Sequence, residues 1–295
     1  MPKELTHWIM AQQSLERLPP DSSLKGIISS HHQLYLAGAV LPDTLLYLHK
    51  GKHAATARAL ADRFHDAVGN SFAPLIHAEE RYQGRLPEPL LACLLGVISH
   101  MVADTTFHPF VYAHAGTIDI GRHYRLETDI DVFFLQQKLI PPVRLLKDLV
   151  SPRSRDVLVT ACSLLFDPEG KIPGNIFESA LSLHGRIQGM YDRNIWKFTA
   201  LLLSALFGSR HTQRRQLFYP LRISQKHIEA LSNPGTGETK QETLQDLAED
   251  TVEKTVRLFK SIDASGSLSE TLHEFQGENL LTGRLESTSR FPEMR

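Results

Sequence analysis

The segment from Pro87 to Thr106 is the most apolar in the chain, yet it carries His100 and Asp104. An apolar run of that length reads as a helix buried over most of its surface. Residues four apart on a helix stack one turn above another, about 6 Å along the axis, so His100 and Asp104 share a face. A polar pair inside so apolar a helix is costly unless something binds it. Either the two side chains satisfy each other in the core, or they share a divalent metal ion, which an imidazole and a carboxylate at this spacing can hold without backbone distortion. His108 extends the row, but Pro109 disfavours helical geometry at the residue before it. The helix is therefore predicted to close near Thr106, with His108 at or just past its end and turned towards a second ion.

A second row follows the loop 116–121. His123, Glu127 and Asp131 repeat at four-residue steps. Such a row is common by chance when it stands alone. Two rows so close in the chain reinforce each other and resemble the inward carboxylate and imidazole rows of metal-binding helix bundles. Asp131 reads either as a partner that fixes a ligand histidine or as an ordinary exposed helix carboxylate. Upstream, His7 lies in the first turn of a helix running to about Leu18 and ended by Pro19-Pro20. It is a capping or core histidine, or a ligand. Asp43 follows Pro42 at a rigid corner, where a carboxylate serves as an N-cap or points inward as a ligand. His65 sits beside the stripe of Ala57, Leu60, Ala61, Phe64 and Val68, which fits a 3.6-residue period.

Charge and composition narrow the function. Lys plus Arg is 32 and Asp plus Glu is 33, so no general field draws in nucleic acid and no double-stranded nucleic-acid partner is expected. Fifteen histidines are the outlier, most of them before position 124. Cys93 and Cys162 both sit in apolar runs and give no disulfide framework. Met1-Pro2-Lys3-Glu4 opens without an apolar secretory segment, and a cytoplasmic location is the expectation. No uninterrupted apolar stretch reaches the ~18 residues of a membrane span. The nearest, Leu90–Ser99 and Phe198–Phe207, both read as buried helices, with a membrane-surface role left open for the second.

From Pro141 onward no ligand cluster stands out. Helices are predicted at about 142–150, 153–166, 175–207, 214–231 and 241–262, with His184, His211, His227 and His273 scattered among them and a small basic spot at Arg210, Arg214 and Arg215. The fold expected is all-α, one large multi-helix bundle around a multinuclear metal site. Residues 1–140 form its metal-binding core, 141–276 a helical continuation packed on that core, and 277–295 a loosely held tail.

Taken together, Thr6-His7-Trp8, Gly38-x-x-x-Pro42-Asp43, Phe64-His65-Asp66, His100-x-x-x-Asp104-x-x-x-His108-Pro109 and His123-x-x-x-Glu127 resemble the zinc-dependent phospholipase C family. That all-helical family is more distantly similar to the single-strand-specific zinc nucleases. The resemblance covers roughly the first 135 residues. It implies one zinc held by Asp43, His65, His100 and Asp104, and a second held by His108, His123 and Glu127. It implies a third on His7 with Asp104 bridging. In secreted relatives that third ion is completed by an amino-terminal tryptophan; here Trp8 follows His7, and the amine of Pro2 after loss of Met1 is the substitute. The spacing of Asp104 and His108 is shorter than in the secreted enzymes and similar to other members.

What the resemblance implies chemically is a phospholipase C-like hydrolase. Zinc lowers the pKa of a bound water to roughly 7, and the resulting hydroxide attacks a phosphodiester, with Asp43 orienting or deprotonating it. The substrate class is a phosphodiester, of which a phospholipid reached by peripheral membrane contact is the simplest case. Two alternatives stand beside it: a nuclease or small-phosphodiester hydrolase, and a non-catalytic metal-binding helical protein on the same scaffold.

Overall fold

The protein is described here from a computed structural model covering residues 3–116, 119–220 and 242–286. Among these, every regular element is a helix. The predicted helix over 214–231 extends past the described residues after 220, and His227 and residues 287–295 lie outside them.

The chain is organised on α6 (Glu88–Ala115), a 28-residue helix opened by Pro89 in its first turn and stopped by Gly116 at φ 78°. By length and composition α6 could cross a bilayer, although His100 and Asp104 interrupt its apolar run; 89% of its apolar window is buried inside the protein. Around it pack α1 (Glu4–Arg17), α2 (Ser23–Ser30), α3 (His32–Gly38), α7 (Ile120–Gln136), α8 (Pro152–Phe166) and α12 (Leu244–Ser265). The remaining helices are α4 (Ala54–His65), α5 (Ala73–Arg81), α9 (Gly174–Gln188), α10 (Asn194–Phe207), α11 (Ser209–Arg215) and α13 (Leu268–Phe275). A 3₁₀ segment, Leu41–Tyr47, joins α3 to α4.

The α3–α6 crossing is set by two glycines. A methyl group on Gly38 would overlap the Cys93 carbonyl, and one on Gly96 would overlap the Tyr35 carbonyl. Backbones this close leave no room for side chains and seat residue 39 directly against the helix bearing His100. Helix α1 is pinned to α3 by the buried Trp8 indole, which donates to the Leu36 carbonyl at 2.9 Å, and by the Tyr35 hydroxyl, which donates to the Ala11 carbonyl at 2.9 Å.

Several elements differ from expectation. Helix α6 does not close before His108; Pro109 lies inside it, and the helix continues for another turn and a half. Pro109 has no N–H to donate to the Thr105 carbonyl, and Gly283 of the C-terminal segment packs directly on that freed oxygen. Where a helix was predicted over 142–150 there is only a 3₁₀ turn at Leu146–Asp148, because Gln188 takes the backbone groups a helix would use: its amide accepts from Leu146 N and donates to the Arg144 carbonyl. The predicted 175–207 helix is two, broken where Tyr191 turns inward and its carbonyl accepts from Tyr219 N at 3.1 Å. Helix α10 is not buried; Ser204 is its one buried residue. Residues 277–286, read from composition as loosely held, contain the fully buried Asn279 and Leu280.

Gly96→Ala should destabilise the fold by about 3 kcal/mol or more, since overpacking at a backbone contact cannot be relieved by side-chain rotation. Urea denaturation of the variant against the parent checks this.

Candidate metal centre

Four elements deliver the first set of side chains. His100 and Asp104 lie one turn apart on α6, Asp43 sits in the first turn of the 3₁₀ segment, His65 is the last residue of α4, and His7 is on α1. All five are buried. The Asp104 carboxylate is at their centre: Oδ2 lies 3.2 Å from His100 Nε2 and 3.9 Å from His65 Nε2, and Oδ1 lies 3.5 Å from His7 Nε2. Asp43 Oδ1 lies 3.3 Å from His65 Nε2 and 3.9 Å from His100 Nε2. Ligand atoms bound to one tetrahedral zinc at about 2.1 Å stand about 3.4 Å apart. The observed separations bracket that value.

A second set adjoins the first. His108, one turn beyond Asp104, meets His123 and Glu127 of α7, where His123 Nε2 lies 2.6 Å from Glu127 Oε1. The His108 and His123 ring centroids are 6.0 Å apart. Within each of three groups, His7/Asp43/His100, His65/His100/Asp104 and His108/His123/Glu127, the donor atoms all lie within 4.8 Å of one another.

The hydrogen bonds of the imidazoles fix which nitrogen faces inward. His100 Nδ1 meets the Ala39 carbonyl at 3.0 Å, His65 Nδ1 the Ala61 carbonyl at 2.8 Å, and His108 Nδ1 the Leu280 carbonyl. A carbonyl oxygen only accepts, so each Nδ1 carries the proton and each Nε2 in the neutral ring presents a lone pair. Those lone pairs face carboxylates. His65 Nε2, His100 Nε2, both His7 nitrogens, Asp43 Oδ1 and both Asp104 oxygens are buried without a hydrogen-bond partner. Each such atom costs about 1–3 kcal/mol unless something satisfies it. A cation resolves all of them at once, and an imidazole–carboxylate set suits a borderline ion such as zinc. The residues present fit a multinuclear divalent site, and the mutual satisfaction of His100 and Asp104 does not account for these orphaned atoms.

Electrostatics agree with that polarity. Burial pushes the His7 and His108 imidazoles down to about 3 and His123 down to about 2, so all three are neutral donors at pH 7. Burial acts against the Asp43 and Asp104 carboxylates, but the histidines together outweigh it, His100 and His65 at Asp43 and His100, His108 and His7 at Asp104, and hold both below the usual range. For His100 burial is likewise outweighed, by Asp104 and Asp43, and its pKa rises.

Asp131 has neither of its predicted places. It is buried, touches no ligand histidine, and accepts from Thr6 N at 2.8 Å, from the Thr6 hydroxyl at 2.5 Å and from the Tyr219 hydroxyl at 2.6 Å. Helix α1 has no side-chain cap of its own. Asp131 supplies a side-chain acceptor from across the bundle to the first-turn Thr6 N–H, which also reaches the Lys3 carbonyl at 3.1 Å, and so fixes the residue next to His7. Burial, opposed by these hydrogen bonds, pushes its pKa up to about 6. His184, one of the scattered histidines, is buried behind Asp43: its Nδ1 lies 3.1 Å from the Thr44 hydroxyl and its Nε2 3.3 Å from Glu4 Oε1.

The zinc dependent phospholipase C family model matches residues 6–164, more than half of the chain and every donor from His7 to Glu127. The chain belongs to the zinc-dependent phospholipase C family. No curated protein and no solved structure matches it.

Beyond the matched region, this family member draws on its own C-terminal segment. Asn279 Nδ2 donates to Asp66 Oδ1 and to the Ala67 carbonyl just after α4, at 2.9 and 3.0 Å, and Leu280 supplies the carbonyl for His108. Sequence reading missed Leu280, Ala39 and Ala61 because a backbone carbonyl leaves no side-chain signature. Gly283, at φ 60°, was the one local clue to a tight turn.

Gly283→Ala should displace this turn, because a methyl there overlaps the Thr105 carbonyl and comes within 3.0 Å of Pro109 Cγ. Zinc affinity should fall on the order of 10-fold, read by competition with a chromogenic chelator. The metal-free protein should lose stability on acidification. Between about pH 6.5 and 3 the unfolded chain binds protons that folded His7, His108 and His123 refuse, so stability is present above 6.5 and lost below it; His100 and Asp131, whose pKa values are raised, contribute the opposite sign without cancelling the three histidines. The melting temperature of chelator-treated protein at about pH 5 should lie below that at about pH 7.

Proposed function

We propose that this protein is a metal-dependent phosphodiester hydrolase of the phospholipase C type, acting on a phospholipid-like substrate. The observation that carries the reading is the set of buried, unpartnered imidazole and carboxylate atoms shared between adjoining groups around Asp104, together with the family to which the chain belongs.

In this reading Asp43, His65, His100 and Asp104 hold one zinc, His108, His123 and Glu127 a second, and His7 with Asp104 a third. Zinc, when bound, supplies positive charge beside the phosphodiester and acidifies water to near neutrality. The protein's own residues do the rest. Asp43 stays ionised, because His100 and His65 outweigh its burial, and its carboxylate accepts a hydrogen bond from the attacking water and orients it. Fixed Nδ1–H bonds to Ala39, Ala61 and Leu280 prevent the imidazoles from rotating as charge moves through the site.

The purified protein should bind at least two zinc ions per chain by elemental analysis and hydrolyse both a chromogenic phosphodiester and phosphatidylcholine in a chelator-sensitive manner. Asp43→Asn should reduce kcat by roughly 100-fold or more. Turnover that survives full chelation would overturn the mechanism, and a zinc-loaded protein without turnover on any phosphodiester would establish a non-catalytic metal-binding scaffold instead.

A further inference from the structure

Among the described residues, helix α10 carries the largest run of exposed apolar side chains. Ile195, Phe198, Leu202, Leu206 and Phe207 are each between 57% and 71% exposed, and Trp196 is 38% exposed. At 100° per residue these side chains, with Leu201, sweep well over half the circumference, opposite the single buried residue Ser204. A helix packed against one protein partner presents a narrower stripe. This one is apolar over a wide arc, as a helix sunk part-way into an acyl layer is.

Charge points to the same occupant. From Arg193 to Arg215 the chain has five basic residues and no Asp or Glu, in a protein whose formal net charge is −1. The Lys197 ammonium is held by Asp192 at 3.0 Å. Arg214 is exposed on α11, and the Arg215 guanidinium donates to the Ser204 hydroxyl on the inner side of α10. Aromatic and aliphatic side chains with the exposed Arg193 before α10 and the exposed Arg214 on the adjoining α11 match a layer of acyl chains under anionic head groups. With 14 residues α10 is about 21 Å long, too short to span the ~30 Å hydrocarbon core.

We infer that α10 is an interfacial helix that docks the protein, through its apolar arc and flanking arginines, onto an anionic lipid surface. Docking is coupled in space to the metal centre: α11 packs on α7, where Gln213 lies against Gly121 and the Thr128 hydroxyl, next to Glu127, donates to the Gln216 carbonyl at 2.9 Å. The use of this contact, bringing the site to a phospholipid, rests on the hydrolase reading; the contact itself does not.

The test uses the full, zinc-loaded chain with vesicles of phosphatidylcholine alone and of phosphatidylcholine with added phosphatidylserine. Trp8 is fully buried, so Trp196 is the reporter among the two tryptophans. Cosedimentation with the anionic vesicles, weakened by salt, and a blue-shifted Trp196 emission quenched by brominated acyl chains are expected. The double variant Leu202→Glu/Leu206→Glu should bind those vesicles on the order of 10-fold more weakly or worse, with unchanged hydrolysis of a soluble, monomeric phosphodiester. Vesicle binding that the double variant retains would overturn the inference. So would a parent protein that ignores vesicles and is a dimer by light scattering, made monomeric by the same substitutions; the arc would then be a surface between copies. If vesicles bind but the soluble phosphodiester is never hydrolysed, the hydrolase reading fails and the docking surface stands.

Discussion

A carboxylate buried among four imidazoles is the constraint on which the rest of this structure depends. Asp104 lies within 3.9 Å of a ring nitrogen on each of His7, His65, His100 and His108, and water does not reach it. Left as neutral rings around an anion, with Nδ1 protons directed outward, the lone pairs of His65 and His100 repel the charge they surround. The arrangement becomes favourable only with positive charge in the middle. A single proton on His100, whose pKa is raised, compensates one contact. Cations shared between the groups compensate all of them, and that requirement explains why so apolar a helix tolerates so polar a face.

Such a centre demands rigidity from its surroundings, since unfavourable contacts relax wherever the backbone lets them. Three devices deny that relaxation. The glycine crossing of α3 on α6 leaves no slack at the Ala39 carbonyl that orients His100. Asp131 reaches from α7 to the first turn of α1 and holds the backbone one residue from His7. Behind Asp43, Thr44 is tied through His184 to Glu4, whose other contact is the Tyr47 hydroxyl at 2.7 Å. Each device links elements far apart in the chain; the first is steric, and the other two are hydrogen-bonded, so a partial loss there leaves new unsatisfied groups instead of a merely looser site.

What was legible in the sequence follows from this division. Four-residue spacing is a local property of helices, so the rows at His100/Asp104/His108 and His123/Glu127 could be read directly, and with them the helical class. Side chains that converge from separate elements, His7, Asp43 and His65, were ambiguous residue by residue and became informative only as an ordered set. The errors share a cause as well. Pro109 was read as a terminator because local sterics say so, whereas Gly283, packed on the carbonyl that the proline leaves free, lies far along the chain. The 142–150 segment lost its helix to the side chain of Gln188. Asp131 looked like one more step of an inward row, although its partner proved to be a backbone N–H on another helix. In each case tertiary contact overrode a sound local preference.

The same reasoning accounts for where the family resemblance stops. Among the described residues, every side chain in the candidate metal groups lies within residues 6–164, and donors must have particular chemistry. What the later chain brings directly to a candidate ligand is the carbonyl of Leu280, delivered by a turn that needs a residue tolerant of φ 60° packed against α6. A carbonyl belongs to every residue, so residues 165–286 can finish the site without showing a ligand motif. The C-terminal segment and the motif-bearing half therefore form one structural unit, in which backbone carbonyls orient the histidines of the centre. Such a contribution can be recognised only once the fold has brought Leu280 and His108 together.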